Sequence, residues 1–125
     1  MGIKTFFKNF REVFFMENCI FCKIAAGDIP ANKVYEDDKI VAFLDINPKA
    51  PGHTLLIPKT HHQWFQDLPD DIYDALFRAA KKVAQDLKVQ NNADYVRLGI
   101  VGTDVPHAHI HMVPQKLSDK KVQGL

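Results

Sequence analysis

The sequence lacks the features that mark several classes of protein. No run approaches the roughly 20 apolar residues that a membrane-spanning helix needs, although 46% of the 125 residues are hydrophobic. Basic residues form no cluster, and 16 Lys and Arg against 15 Asp and Glu leave a net charge of +1. We therefore expect one domain that has no transmembrane span and binds no nucleic acid. A small anion such as a mononucleotide needs only a local positive potential and stays compatible with this charge.

The first fifteen residues, MGIKTFFKNFREVFF, differ in texture from the rest of the chain. Phe6, Phe10 and Phe14 recur at helical spacing, and polar or charged residues within 8–12 interrupt the apolar stretch that a secretory signal requires. Two interpretations stay open. The segment is either an amphipathic helix that packs on the domain, a partner or a membrane surface, or an extension upstream of a natural start at Met16. We treat 1–15 as an appendage and expect a cytoplasmic protein.

Alternating hydrophobicity and turn composition predict several short strands and one long helix. The helix is expected over about 70–89, because Leu68, Ile72, Leu76, Ala79, Val83 and Leu87 recur on one helical face. Strands are expected at 34–36, 40–44, 53–58, 95–101 and 107–113, and the polar stretch 115–125 is expected to be a loose tail. This order predicts an α+β domain whose antiparallel sheet is covered on one side.

The six histidines fall in two clusters: His53, His61 and His62, then His107, His109 and His111. In a strand, alternate residues share one face. The second cluster is therefore expected to present three imidazoles on one side, while Ala108, Ile110 and Met112 point toward the core. A solvated polar face is the simplest explanation for a single histidine, but three in register favour a function. Imidazoles can attack phosphorus, donate to phosphoryl oxygens and move protons, or they can bind a metal; the spacing alone leaves both open.

Six short motifs, in this order, resemble those of the histidine triad (HIT) family: CIFCKI, IPA, VYEDD, AFLDI, PGHTLLIPKTH and HAHIHMVP. The resemblance spans Asn18 to about Gln115 and leaves out residues 1–15. It implies a HIT-like fold, an antiparallel sheet of about five strands with one main helix and a shorter N-terminal helix, so that 16–125 form a single HIT domain. It also implies a homodimer that cleaves the bond between a nucleoside α-phosphate and its leaving group.

The catalytic residues that the resemblance implies lie in the last and fifth motifs. His109 corresponds to the nucleophile, which forms a covalent nucleotidyl-histidine. His111 and His53 would face the phosphate from either side as donor or proton carrier. Covalent catalysis splits one difficult displacement into two easier ones, in agreement with the chemistry expected of a row of imidazoles.

The resemblance also implies a nucleoside pocket. Asp45 would accept hydrogen bonds from the ribose hydroxyls, although after a buried strand it could equally cap a turn. Gly102 and Thr103 would donate to the phosphates, one through its backbone N–H and the other through its hydroxyl. Four apolar residues would sandwich the base, and ordinary core packing explains each of them equally well. These four are Phe21, Ile24, Phe43 and Ile46.

The two cysteines, Cys19 and Cys22, form a Cys-x-x-Cys pair, which indicates metal binding or redox chemistry. The βαβ context that the redox version expects is missing. The resemblance implies a structural zinc ion bound by these cysteines together with His61 and His107, a ligand set that suits tetrahedral zinc. His62 is left without a role, and we expect it to be exposed.

The chain departs from the family pattern just before the triad, where it reads Gly102-Thr103-Asp104 in a shorter turn that lacks the usual Asn and Gln. A carboxylate at Asp104 repels phosphate unless it is protonated, turned away or bridged by a cation. Pro106 also removes a backbone donor at the entry of the strand. These departures bear on the rate and on the preferred leaving group.

Three functional hypotheses follow. The first is a hydrolase or nucleotidyl transferase acting on purine nucleoside phosphoramidates or dinucleoside polyphosphates, so that its partner is an AMP-type nucleotide. The second, motivated by Asp104, is a zinc-stabilised nucleotide-binding or interaction protein with weak or no turnover. The third is a metal-dependent hydrolase with the triad as ligands, which predicts that chelation removes activity while the fold persists.

Overall fold

A five-stranded antiparallel sheet forms the centre of the fold. The computed structural model describes Met16 and residues 18–119, so the predicted appendage 1–15 lies outside the described residues. The strand order is β1-β2-β3-β5-β4, which places the last strand of the chain inside the sheet. The strands are β1 (Lys33–Glu36), β2 (Ile40–Leu44), β3 (Thr54–Pro58), β4 (Tyr95–Ile100) and β5 (Ile110–Gln115). The predicted α+β class with five antiparallel strands is confirmed.

The helices are α1 (Ile20–Ala26) and α2 (Asp70–Gln90), with a single 3-10 turn at Phe65–Asp67 before α2. Helix α2 follows Pro69 and carries Asp70 and Asp71 in its first turn. Their negative charges stabilise the helix because they lie at the positive end of its dipole. Its predicted apolar stripe is buried, and it packs on a sheet face formed by side chains such as Ile40, Leu56 and Ile110. Among the described residues, no helix is long and apolar enough to cross a bilayer.

Helix α1 is short and is fixed at both ends. At its start the Cys19 Sγ accepts a hydrogen bond from the Cys22 N–H at 3.4 Å, and at its end Gly27 takes a φ of +83°, a left-handed conformation that favours glycine. Phe21, Cys22 and Ile24 of α1 pack with Val41, Phe43, Leu55 and Ile57 on the sheet face opposite α2. The sheet is therefore covered on both faces, and the expectation that only one side is covered is wrong.

The last strand begins at Ile110, three residues later than the sequence predicts. The Ala108 N–H donates to the His62 carbonyl at 2.5 Å, and the His107 N–H donates to the Val105 carbonyl at 2.7 Å. These backbone groups are used by loops and cannot join the ladder. The side-chain alternation still holds, because Ala108, Ile110 and Met112 are buried in the core against α2.

Strand β5 reaches into the stretch that the sequence predicts to be the tail. Gln115, expected to begin the loose tail, is the last residue of β5 and is buried. Beyond it the Leu117 N–H donates to Asp94 Oδ2 at 2.8 Å, and Lys116 and Asp119 hydrogen bond to each other. The predicted tail therefore starts one residue later, at Lys116, its looseness stays a prediction, and residues 120–125 lie outside the described part of the chain.

Candidate functional site

The structure brings together the four residues predicted to bind metal. His107 Nδ1 lies 3.5 Å from Cys19 Sγ and 3.4 Å from Cys22 Sγ, and His61 Nδ1 lies 3.2 Å from Cys22 Sγ. The four ligand atoms all lie within 4.8 Å of one another. We call these four residues the thiol cluster.

The donors of the thiol cluster fit zinc. His107 Nε2–H donates to the Pro58 carbonyl at 2.8 Å, so the lone pair is on Nδ1, the nitrogen that faces the thiols. A metal-binding histidine is usually oriented by a carbonyl in this way. In a tetrahedral Cys₂His₂ site, standard zinc bond lengths separate the ligand atoms by about 3.3–3.8 Å, close to the distances found here. An oriented imidazole between two thiols therefore suits a structural zinc ion.

The two thiols differ in acidity. Hydrogen bonding from the Cys22 side chain, together with His107 and the Cys22 N–H, lowers the pKa of Cys19 despite its burial. The shared hydrogen bond with Cys19, followed by burial, raises the pKa of Cys22. A thiolate is thus already favoured at Cys19, and thiolate is the form that binds metal. Both cysteines are free.

His62 lies beside the thiol cluster but is not one of its ligands. It is half-buried, which corrects the expectation that it is exposed. Its Nε2 lies 2.9 Å from Thr60 Oγ1, and burial, followed by the charges of His107 and His61, lowers its pKa. Since its carbonyl accepts from Ala108, its backbone fixes the chain between His107 and His109. No sequence pattern indicated this role.

His109 presents an unpaired nitrogen. The side chain is 1% exposed, and its Nδ1–H donates to the His107 carbonyl at 2.6 Å, so the lone pair lies on Nε2. Nε2 is buried without a hydrogen-bond partner. The edge of Phe21 supports the ring at a centroid distance of 5.0 Å. A fixed imidazole with a free lone pair is suited to act as a nucleophile.

A chain of hydrogen bonds sets the protonation of His53 and His111. The Lys49 N–H donates to His53 Nδ1 at 3.0 Å, so neutral His53 carries its proton on Nε2. That nitrogen lies 3.0 Å from His111 Nδ1, which must accept, and His111 therefore carries its own proton on Nε2. Burial is the main factor that lowers the pKa of both His53 and His111, so both are neutral at pH 7. The backbone of Lys49, which starts this chain, was not predicted as a site residue.

Asp45 both caps a turn and faces this set of histidines. Its Oδ1 accepts from the Asn47 N–H at 2.9 Å, the turn-capping role that the sequence left open. Its Oδ2 lies 3.5 Å from His53 Nε2. The carboxylate is therefore held at the cavity by one oxygen while the other points toward the imidazoles.

Asp104 lies against the candidate nucleophile. Its Oδ1 is 3.3 Å from His109 Nε2 and its Oδ2 is 3.9 Å from His111 Nε2. Burial acts to raise the pKa of Asp104, but the charge of His109, hydrogen bonds from the Val105 and Asp104 N–H groups, and the charge of His111 together lower it. The carboxylate is 59% exposed and stays ionised. We call His53, His109, His111, Asp45 and Asp104 the imidazole cluster.

A cavity of about 850 Å³ opens at the imidazole cluster, within the range typical of small-molecule sites. Of the predicted residues, Phe21, Ile24, Phe43, Asp45, Ile46, Thr103, His53 and His111 line it. Ile46 is 88% exposed, so it stands at the mouth rather than in a closed sandwich. His109 is buried behind two lining residues, Phe21 and Asp104. The sequence missed an apolar wall that includes Ile29, Ala31, Leu55 and Val105, which carries no motif of its own.

Gly102 is not among the residues that line the cavity. It is buried with a φ of +98°, and a Cβ added to it would lie 2.9 Å from the Gln63 carbonyl oxygen. Its carbonyl accepts from Gln63 Nε2 at 3.4 Å. Gly102 therefore forms the turn that brings Thr103 and Asp104 to the cavity.

Comparison with known proteins identifies the family. A model of the HIT domain matches residues 26–117. The chain belongs to the HIT family. A HIT-like protein of Methanocaldococcus jannaschii is 42% identical over 113 residues, which are 83% of this chain and 84% of that protein. The adenosine 5′-monophosphoramidase of Saccharomyces cerevisiae is 38% identical over 104 residues, 78% of this chain and 63% of that protein.

Solved HIT structures share the fold. A member of the family from Bacillus subtilis has a TM-score of 0.78 at 38% identity, over 87% of this chain and 83% of that one. A zinc-bound histidine triad protein from Mycobacterium smegmatis has a TM-score of 0.78 at 34% identity, over 85% and 81% of the two chains. The predicted membership of the HIT family and the HIT-like fold are confirmed.

Proposed function

We propose that this HIT protein hydrolyses or transfers nucleotides by cleaving at the α-phosphate of purine nucleoside phosphoramidates or dinucleoside polyphosphates. The observation that carries this proposal is His109 Nε2, a buried nitrogen whose tautomer is fixed and which lies 3.3 Å behind Asp104 Oδ1, a residue that lines a cavity of about 850 Å³. The yeast relative named as an adenosine 5′-monophosphoramidase supports the reaction type.

The reaction would proceed in two displacements. In the first, the lone pair of His109 Nε2 forms a bond to the α-phosphorus, and the bond from phosphorus to the leaving group breaks. The electron pair of that bond goes with the leaving group, which takes up a proton. In the second, a water oxygen bonds to phosphorus while the water gives a proton to His111 Nε2, replacing the one donated to the leaving group, and the P–N bond to His109 breaks, so that AMP is released with the imidazole restored. His111 Nε2–H and the His53 ring behind it serve as donor and proton carrier.

The cavity walls indicate how a nucleoside would lie. Phe21 and Phe43 form an edge-on aromatic pair with centroids 5.6 Å apart, and Ile24 and Ile46 extend this apolar region toward the mouth. We propose that the base packs there, that Asp45 Oδ2 accepts from the ribose hydroxyls, and that Thr103 donates to the phosphate. The Gly102 N–H, which the sequence suggested as a second donor, belongs to a turn outside the cavity lining.

The thiol cluster would hold one structural zinc ion through Cys19, Cys22, His61 and His107. Zinc there would join α1 to the segment that precedes β5, and so fix His109 from behind. The zinc-bound relative supports this proposal. The same geometry argues against all three triad histidines as ligands of one catalytic metal, because His107 turns its lone pair to the thiols.

We further propose a cytoplasmic homodimer. Among the described strands, β4 is an edge of the sheet; Tyr95 and Leu98 on it and Val101 directly after it are 37%, 44% and 53% exposed. An open edge with apolar side chains is suited to pairing with a second copy. A reducing compartment would keep the two thiols available for metal.

The deciding experiment measures AMP release from adenosine 5′-phosphoramidate by the wild type and by His109→Ala. We expect release by the wild type only, together with a mass increase of one adenylyl group on the quenched wild-type protein. Turnover by His109→Ala would refute the covalent mechanism. AMP binding without turnover by either protein would favour the second hypothesis, a nucleotide-binding protein, which the contact between Asp104 and His109 Nε2 supports.

A further inference from the structure

Asp104 is a charged residue of the cavity to which the proposed reaction gives no role. We propose that Asp104 selects the leaving group: it favours a nitrogen leaving group of zero or positive charge, such as ammonia or an amine, and disfavours a polyphosphate. This inference rests on the proposed function and narrows its substrate class.

Asp104 lies where the phosphate of any substrate must approach His109. A nucleophile must come within about 3–3.5 Å of the atom it attacks, and Asp104 Oδ1 occupies that distance at 3.3 Å from His109 Nε2. The nitrogen is shielded from solvent in this state. A phosphoryl group that reaches this nitrogen would have to displace the carboxylate, which would stay beside the reacting phosphate because Gly102, two residues before it, packs against Gln63 and accepts from its Nε2.

The charges around the cavity do not suit a highly anionic group. The charged side chains that line it are Asp45, Lys49 and Asp104, and with His53 and His111 neutral they sum to −1. A phosphate of the leaving group within about 5 Å of Asp104 would be repelled by an energy that corresponds to roughly a tenfold loss of binding for each charge. A neutral or cationic leaving group meets no such repulsion.

Hydrogen bonding at the same point favours nitrogen. His111 presents a donor at Nε2, and Asp104 Oδ2 presents an acceptor 3.9 Å away. The nitrogen of a phosphoramidate has a lone pair that can accept from His111 and N–H groups that can donate to Asp104. The bridging oxygen of a polyphosphate can accept but has no hydrogen to donate, so Asp104 would face it unpaired.

The test compares kcat/KM for adenosine 5′-phosphoramidate, whose leaving group is ammonia, with kcat/KM for diadenosine tetraphosphate, whose leaving group is ATP. The variants are Asp104→Asn, which removes the charge at nearly constant shape, and Asp86→Asn, which removes one charge from α2 on the opposite side of the sheet. We expect the ratio of the two values, phosphoramidate over tetraphosphate, to fall at least tenfold in Asp104→Asn and to change less than twofold in Asp86→Asn.

A ratio that stays within twofold of the wild type in Asp104→Asn overturns the inference, and so does an equal fall in Asp86→Asn. If the wild type turns over neither substrate, the proposed function fails by itself. Charge selection is then decided by calorimetric binding of AMP and ATP. An Asp104→Asn variant that gains at least tenfold for ATP relative to AMP supports selection at this residue, and an unchanged ratio overturns it.

Discussion

His107 and His109 stand two residues apart, yet they turn opposite nitrogens to their surroundings. His107 donates from Nε2 to the Pro58 carbonyl and leaves Nδ1 for the thiols. His109 donates from Nδ1 to the His107 carbonyl and leaves Nε2 for the cavity. In each case a backbone carbonyl fixes the tautomer, and the position of that carbonyl decides what the other nitrogen can do.

The two clusters also differ in how completely their polar atoms are used. In the thiol cluster every ligand atom faces another ligand atom within 4.8 Å, as in a closed structural site. In the imidazole cluster one nitrogen, His109 Nε2, is left without a hydrogen bond. A buried polar atom without a hydrogen bond is costly, and the polar atom that faces it here is Asp104 Oδ1 at 3.3 Å.

The largest effect is expected when His107 and His109 are each replaced in turn, because one change should abolish activity and the other should abolish zinc binding. His109→Asn removes the proposed nucleophile and should lower kcat by about 10³-fold or more, while the proposed zinc ion should be retained at one per chain. His107→Asn should lose that zinc. The measurements are steady-state kinetics and elemental analysis of the purified variants. Zinc loss in His109→Asn, with zinc retained in His107→Asn, would reverse the assignment of the two rings.

Adjacent histidines offer a second test, of the thiol cluster alone. His61→Asn should weaken zinc binding and lower the free energy of unfolding by about 3 kcal/mol, because a metal that binds only the folded state contributes its binding energy to folding. The matched change His62→Asn should keep the zinc. Thermal unfolding with and without chelator distinguishes them: chelation should lower the Tm of wild type and His62→Asn, but barely alter His61→Asn. Equal responses of all three proteins would contradict the ligand set.

A third prediction perturbs the imidazole cluster through its backbone. Gly102→Ala should cost about 2–3 kcal/mol, since an alanine meets both an unfavourable φ and the Gln63 carbonyl. Gly27→Ala has a comparable φ of +83° but nothing within 4 Å of the added Cβ, and should cost about 1 kcal/mol. Denaturant unfolding measures both. Zinc content should be unchanged in Gly102→Ala, and an equal cost for the two variants would show that the close contact relaxes freely.

The smallest effect is a dependence of stability on pH. The folded-state pKa of His53 and of His111 is lowered. In acid, therefore, these two side chains bind more protons in the unfolded chain than in the folded chain. The contribution of each histidine is fully present above pH 6.5 and is lost as the pH falls below that value, by up to about 1.4 kcal/mol per pH unit.

His111→Gln should therefore reduce the slope of unfolding free energy against pH between 6.5 and 5 by up to one proton. Comparison with the wild type at each pH cancels the shared protonation of the zinc ligands. An identical slope in both proteins would mean that His111 titrates normally in the folded state.

Much of this arrangement was predictable from the sequence because it depends on periodicity. The alternation of residues 107–112 correctly predicted that Ala108, Ile110 and Met112 lie in the core against α2. The apolar stripe of α2 is buried, as its periodicity also predicted. These features follow from the repeat of a strand or helix, whatever its neighbours.

Features that depend on contacts distant in the sequence were not predictable. The late start of β5 follows from the bond between Ala108 and the His62 carbonyl, 46 residues away in the chain. The tautomer of His107 follows from the Pro58 carbonyl, and that of His53 from the Lys49 N–H. The sequence predicted that Asp104 lies near the expected phosphate site but could not show that its Oδ1 lies 3.3 Å from His109 Nε2.

The place of β5 in the sheet has a consequence for synthesis. Strand β5 is the last to be synthesised, but it lies between β3 and β4. Until β5 is synthesised, one edge of β3 and one edge of β4 therefore stay unpaired. Unpaired strand edges are prone to misassociation. His107 and His109 emerge only just ahead of that strand. On the proposed assignments, metal binding by His107, placement of His109 as nucleophile and closure of the sheet would all follow the synthesis of this last strand, and a chain released before it would have none of the three.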